Sequence, residues 1–349
     1  MTEIAPPVLW FSQVAGGRPE PWKYFRVDGV LLNAYEILQE PRIANQLKKN
    51  GIHHYLDFYG PVMMDSGGFL FMKKKSLTVR PDTISELYKE SKPNFGVVLD
   101  HPLTLGLTAR EVRRRQLVTL RNTRRMTFSQ RSSNPELIPV IHGHTMSSIK
   151  WFVQQLEKTG EFKVYGIGSL VPSVFNARGI GGIHNVIRIV SYVRKLLPKK
   201  IIHVFGVGST VTMHLMFAAG ADSLDSSAWR VKAAFGAIQL PGIGDRFITG
   251  RAGKATGKKY LDLSKPERRI LEECGCPACK QNGLSNLKQS FSMRALHNCW
   301  VFQREVEKTR KMIKTNVYDA YIDEIVGKSR FRIALELAKS LRARIVLNS

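Results

Sequence analysis

Val164-Tyr165-Gly166-Ile167-Gly168-Ser169-Leu170, then an amphipathic segment over 183–197, then Ile201-Ile202-His203-Val204-Phe205-Gly206-Val207-Gly208: this stretch decides the fold class. Each outer piece is a short apolar run ending in glycines and polar residues. Continuous apolar runs read as strands buried on both faces, the habit of a parallel sheet covered by helices. The unit recurs along the chain. Residues 62–64, 96–99, 138–141 and 221–224 are further candidate strands, with candidate helices at 83–92 and 147–157. That many units favours α/β architecture of the closed (β/α)8 TIM-barrel type over an open sheet.

The strand ends are chemically distinctive. They read Asp65-Ser66-Gly67-Gly68-Phe69, Leu99-Asp100-His101-Pro102, Ile141-His142-Gly143-His144, Gly166-Ile167-Gly168-Ser169-Leu170, Phe205-Gly206-Val207-Gly208 and Ala221-Asp222-Ser223-Leu224-Asp225. Barrel enzymes assemble their sites at this end of the strands. Asp65, Asp100 and Asp225 are therefore expected at one mouth. Any one of them alone would also serve as a helix cap or turn residue.

All four cysteines fall between positions 274 and 299. Cys274, Cys276 and Cys279, with His297 on the next expected helix, have the spacing of a closed structural Zn2+ site of three thiolates and one imidazole. Half-buried reduced thiols are the alternative, since free cysteine packs like a small hydrophobe. Cys299 competes with His297 for the fourth position, but two residues apart on a helix they point in different directions.

Lys and Arg outnumber Asp and Glu 53 to 28, a net charge of +25. Such an excess concentrates polyanions and points to nucleic acid more than to a membrane surface. Eight arginines lie within 110–131, where Val112, Leu117, Val118, Leu120 and Met126 recur at helical spacing. That is an amphipathic helix whose arginine face either meets phosphates or is merely solvated. Residues 251–259, RAGKATGKK, read as a glycine-rich basic loop able to meet phosphates. No apolar run is long enough to span a membrane, and residues 1–20 lack a leader pattern, so a cytoplasmic protein is expected. With no G-x-x-x-x-G-K-[ST] loop, an ATP-driven mechanism finds no support. The chain divides into a barrel over 1–265, a zinc-binding subdomain over 266–305 and a basic helical region over 306–349.

DSGGF at 65–69, Asp100, GIGSL at 166–170, FGVG at 205–208, ADSLD at 221–225, the early Leu32-Asn33-Ala34-Tyr35 and the cysteine pattern followed by Leu296-His297-Asn298 carry a resemblance. Together, over roughly 30–305, they resemble the tRNA-guanine transglycosylase (queuine tRNA-ribosyltransferase) family. The resemblance implies a pentosyltransferase that replaces a guanine in nucleic acid by a 7-deazaguanine base. It assigns Asp225 as the nucleophile toward C1′ and Asp65 as the proton shuttle. Asp100, Ser66, His142 and the backbone of Gly168, Ser169 and Leu170 would line the base pocket, with Phe69 and Phe205 on the faces of the base. The target base must leave its stack, and zinc would be structural. A homodimer through the zinc region and accessory modification proteins are partners that the resemblance raises.

The chain also departs from the family. Ser226-Ser227-Ala228-Trp229-Arg230-Val231-Lys232 stands where the tRNA-modifying enzymes carry Pro-Thr-Arg. His142 replaces the glutamine of a V-Q-G-G turn, Leu70 a glutamine after DSGGF, and Ser169 one glycine of a pair. With the end near Ser349, no room is expected for the RNA-binding domain of archaeal relatives. Changed nucleic-acid contacts beside three retained aspartates resemble the DNA-modifying branch of the family, with Trp229, Arg230 and Lys232 meeting DNA. A core tryptophan is the alternative for Trp229. The same exchange on tRNA, a non-catalytic nucleic-acid-binding subunit and a base-removing hydrolase are the rival functions.

Overall fold

The structure, a computed structural model, describes residues 6–68, 79–129, 135–171, 182–249 and 263–346. Its parallel strands are β1 (Val8–Ser12), β2 (Gly29–Asn33), β3 (Val62–Asp65), β4 (Phe95–Val97), β5 (Glu136–Ile138), β6 (Val140–Ile141), β7 (Val164–Ile167), β8 (Ile201–Val204) and β9 (Ser223–Ser226). They hydrogen-bond in the order β5-β4-β3-β2-β1-β9-β8-β7-β6. The two ends of that order are one stretch of chain, interrupted only at Pro139, which has no N–H to give to a ladder. On one side of it the Val98 N–H donates to the Ile138 carbonyl at 3.0 Å, and on the other the Gly166 N–H donates to the Pro139 carbonyl at 2.9 Å. Counted as one strand, this stretch closes the sheet into the (β/α)8 barrel expected from the sequence.

Strand periodicity sorts the side chains into two cores. Val8, Trp10, Leu31, Met63, Val97, Ile138, Val140 and Val164 fill the barrel interior. Their neighbours Leu9, Phe11, Val30, Leu32, Val62, Met64 and Val98 face the surrounding helices. The helices at Pro81–Ser91, Met146–Glu157 and Ile183–Leu196 lie within a residue or two of their expected bounds. The arginine-rich helix is Ala109–Ser129, and Val112, Leu120 and Met126 are buried as its spacing requires, but Leu117 is 47% exposed.

After the barrel come an antiparallel hairpin, β10 (Ala237–Leu240) with β11 (Gly244–Phe247), and the helices Lys265–Glu272, Pro277–Gln289 and Phe291–Lys314. Ser264 and Glu267 form a reciprocal capping box that sets the start of the first. The long helix is anchored to the barrel through Asp28, which accepts from Gln303 Nε2 at 2.8 Å and from both Arg310 guanidinium nitrogens at 2.7 and 2.8 Å. Among the described residues no helix is long and apolar enough to cross a membrane. The basic loop 251–259, Leu70 and Phe69 lie outside the described residues.

Candidate active site

The parallel register brings the acidic strand ends together. Asp225 on β9 pairs with Trp10 on β1, and Asp65 on β3 pairs with Asn33 on β2. Donors surround Asp225: the Gly206 N–H reaches Oδ1 at 2.7 Å and the Ser12 hydroxyl reaches Oδ2 at 3.0 Å. Asp65 is held more loosely, with Asn33 Nδ2 and the Gly67 N–H each 3.3 Å from Oδ2. Burial, then repulsion from Asp100 and Asp225, pushes the Asp65 carboxyl up to about 8, against the pull of the Gly67 and Ser66 N–H groups. The convergence expected from the sequence therefore holds, and Asp65 carries a proton at neutral pH.

Asp100 is backed by a fixed imidazole. His142 Nε2 lies 2.8 Å from Asp100 Oδ2, and Nδ1 lies 2.8 Å from the Ser169 hydroxyl. The Leu103 N–H donates to that hydroxyl oxygen at 2.7 Å. The Asp100 carboxylate, which when ionised only accepts, calls for the proton of a neutral ring on Nε2, so Ser169 gives its own proton to Nδ1. The two departures His142 and Ser169 are one physical unit. Ser169 holds a left-handed φ of 66° to make it, a conformation costly for a residue with a Cβ. With Nδ1 held by Ser169, Nε2 2.8 Å from Asp100 and 1% exposure, His142 stands behind Asp100.

The glycines are explained by close approach. A Cβ at Gly68 would stand 2.0 Å from Asp100 Oδ1, and one at Gly168 would stand 2.7 Å from the His142 ring. Phe205 lies over Gly166, where a Cβ would stand 2.3 Å from its ring. The buried Ser66 hydroxyl is spent on the Val98 carbonyl at 3.2 Å, and the Leu170 side chain is buried.

The segment after Asp225 behaves differently from the sequence expectation. Trp229 is completely buried, packs edge-on against Phe11 and donates its indole N–H to the Ser12 carbonyl at 3.1 Å. It is a core tryptophan, which corrects its assignment to nucleic acid. Lys232 is paired with Asp245, which occupies its charge. Arg230 is half-buried, and its Nη1 has no hydrogen-bond partner among the described residues. The polar residues to which sequence reading gave no role are Ser12 and His203, both turned toward Asp225, and Ser223, whose hydroxyl meets His203 and Trp10. Ser12 and His203 sit in no motif, and Ser223 lies in ADSLD without a role of its own, so only inward strand periodicity could have flagged the three.

Cys274, Cys276, Cys279 and His297 come together beside the hairpin, their ligand atoms all within 4.8 Å of one another. His297 Nδ1 lies 3.8, 3.5 and 3.4 Å from the three sulfurs in that order. A tetrahedral zinc with Zn–S of about 2.3 Å and Zn–N of about 2.0 Å would set such edges at roughly 3.5–3.8 Å. His297 Nε2 lies 3.0 Å from the Gln239 carbonyl, which can only accept, so Nδ1 is left free to ligate. The donor set fits one tetrahedral metal ion. Cys299 is excluded from it: fully buried, its thiol pushed up by that burial, it packs in the barrel-side core with Ala295 and Phe302.

A closed barrel with converging carboxylates at its C-terminal mouth, followed by a Cys3His cluster, defines a narrow class. This chain belongs to the queuine tRNA-ribosyltransferase family, whose model matches residues 10–330. It is similar to the tRNA-guanine(15) transglycosylase of Methanopyrus kandleri, 26% identical over 294 residues, which cover 82% of this chain and 58% of that protein. The enzymes of the same name from Pyrococcus furiosus (24% over 315 residues, 88% and 49%) and Methanococcus aeolicus (25% over 327 residues, 91% and 46%) are comparable. The chain spans about half the length of these curated relatives.

Proposed function

We propose that this protein is a guanine transglycosylase that exchanges guanine in DNA for a 7-deazaguanine base, such as 7-cyano-7-deazaguanine, through a covalent aspartyl–nucleoside intermediate. The observation that carries the reading is the division of labour at the mouth. Asp65 holds a proton up to about pH 8, while Asp225 is braced by donors as an anion would be. A carboxyl that keeps its proton beside another carboxylate held by donors is the arrangement that paired acid and nucleophile roles need.

In this reading Asp225 Oδ2 attacks C1′ of the flipped nucleoside and the glycosidic bond breaks. Its electron pair goes to the departing guanine nitrogen, which takes the proton of Asp65. The incoming base returns a proton to Asp65 as its nitrogen attacks C1′. The C1′–Oδ2 bond then breaks and Asp225 recovers its charge. Asp100, steadied by His142, accepts hydrogen bonds from the donor edge of the base, while Phe205, Phe69 and the backbone of Gly168–Leu170 enclose it. Cys274, Cys276, Cys279 and His297 would hold a structural zinc with no part in the chemistry.

DNA as the polymer is supported by the charge of +25 and by the Ser226–Lys232 segment, which lacks the residues that grip an anticodon loop in the resemblance. Exchange on tRNA is the second reading, favoured by the tRNA-guanine(15) name of the relatives. Labelled 7-cyano-7-deazaguanine, offered with duplex DNA, single-stranded DNA and bulk tRNA in parallel, tests both. Label in DNA is expected; label in tRNA alone would move the substrate assignment, and abasic sites without label would indicate a hydrolase.

A further inference from the structure

His203 lies on β8 inside the barrel, 0% exposed, and no motif singles it out. Its Nδ1 is 2.9 Å from the Ser223 hydroxyl, and the same hydroxyl is 2.9 Å from the Trp10 indole nitrogen. An indole N–H can only donate, so Ser223 accepts from Trp10 and keeps its own proton available for Nδ1, and the Asp225 carboxylate on the far side of the ring, which when ionised only accepts, calls for an N–H on Nε2. The neutral ring therefore carries its proton on Nε2. That Nε2 has no hydrogen-bond partner among the described residues and stands 3.4 Å from Asp225 Oδ1. Phe205 packs edge-on against the imidazole, with ring centroids 4.4 Å apart, and holds the ring in this orientation. A buried donor left open is costly and calls for an explanation. His142 Nε2, likewise without a hydrogen-bond partner among the described residues, stands closer to its own carboxylate, 2.8 Å from Asp100 Oδ2.

We propose that His203 is a positioning residue for Asp225, its Nε2–H closing on Oδ1 when negative charge returns to that carboxylate. The inference rests on the reading of Asp225 as nucleophile. In the second half of the exchange the C1′–Oδ2 bond breaks and its electron pair spreads onto Oδ1, where the Gly206 N–H already donates. A second donor there makes Asp225 a better leaving group and a slightly weaker nucleophile. No proton is transferred to or from the ring. Ser223 and Trp10 serve by keeping the ring in the required tautomer.

The test compares wild type, His203→Phe, His203→Gln and Ser223→Ala on the oligonucleotide that the wild type modifies. Exchange rate and the fraction of protein trapped as covalent adduct at steady state are both read. His203→Phe is expected to slow exchange about 10- to 100-fold, the scale of a lost charge-stabilising donor, while the trapped fraction rises. His203→Gln, which keeps a donor near the Nε2 position, should recover to within about threefold. Ser223→Ala, which leaves Trp10 and His203 in place, should move both readings in the direction of His203→Phe and covers the case in which the phenylalanine variant does not fold. A parallel fall in rate and adduct in both the His203→Phe and Ser223→Ala variants, or no change in either reading, would overturn the proposal. A wild-type protein that exchanges base with no adduct would overturn the nucleophile reading and this inference together, and is distinguished by the wild-type lane alone.

Discussion

The barrel mouth and the Cys3His cluster are both built from groups far apart in the chain, yet they solve opposite problems. In the cluster every donor is satisfied: three sulfurs face one imidazole nitrogen, and the other nitrogen is held by the Gln239 carbonyl. At the mouth, three carboxylates of like charge share a partly buried space, one is driven to hold a proton, and a buried imidazole N–H stands open beside another. A donor set that a metal could close would give stability; unresolved electrostatics gives a site that can change state. Substitutions should separate the two regions cleanly.

The largest effect is expected at Asp225, the proposed nucleophile. Asp225→Ala should lower base exchange at least about 10⁴-fold, as removal of a covalent nucleophile does, with bound metal and thermal midpoint close to wild type. Asp65→Asn should cost about 10²- to 10⁴-fold, the scale of general acid–base catalysis, and abolish the pH dependence that the wild type owes to this group. Since Asp65 must begin protonated, wild-type exchange should decline as pH rises through about 8.

At the cluster the signs reverse. Cys276→Ser should release the metal, read by elemental analysis, and lower the thermal midpoint by at least ~5 °C, because metal binding and folding of such a segment are coupled. Exchange per folded molecule should suffer far less than in Asp225→Ala. A smaller contrast lies at Ser169, where Ala keeps the left-handed strain and loses two hydrogen bonds. That change should cost about 2 kcal/mol, and Ser169→Gly less, because glycine accepts the backbone conformation. Chemical denaturation of the two variants would rank them.

A further contrast is in stability against pH. Unfolded, Asp65 loses its proton near 3.8; folded, near 8. Between those values the folded state holds the extra proton, so stability falls as pH rises through the window. Asp65→Asn removes that slope. Its thermal midpoint should pass that of the wild type toward pH 8–9, and the advantage should vanish near pH 4.

How much of this was legible in the sequence follows from which interactions are local. Apolar runs bounded by glycines located most of the barrel strands, and cysteine spacing located the cluster, because both patterns are written in neighbouring residues. β1 and β2 were hidden from periodicity; Val8–Ser12 carries two aromatics and a serine in a short run near the terminus, and only the Leu32-Asn33 resemblance hinted at the second. Pro139 also concealed that 136–141 bridges the two ends of the sheet. Trp229 followed an altered motif and read equally as a nucleic-acid contact or a core residue, because its burial depends on Phe11 and Ser12, more than two hundred positions away. His203, Ser223 and Trp10 form their relay only through the β8–β9–β1 register. No linear pattern records that.

The account turns on Asp225 as the atom that bonds to the nucleic acid. Wild-type protein incubated with its oligonucleotide, denatured rapidly and analysed by intact mass and peptide mapping, tests this most directly. A covalent adduct of protein and oligonucleotide mapping to Asp225, absent in Asp225→Ala and lost on addition of the 7-deazaguanine base, is the predicted result. An adduct mapping to Asp65, or full exchange by Asp225→Ala, would contradict it.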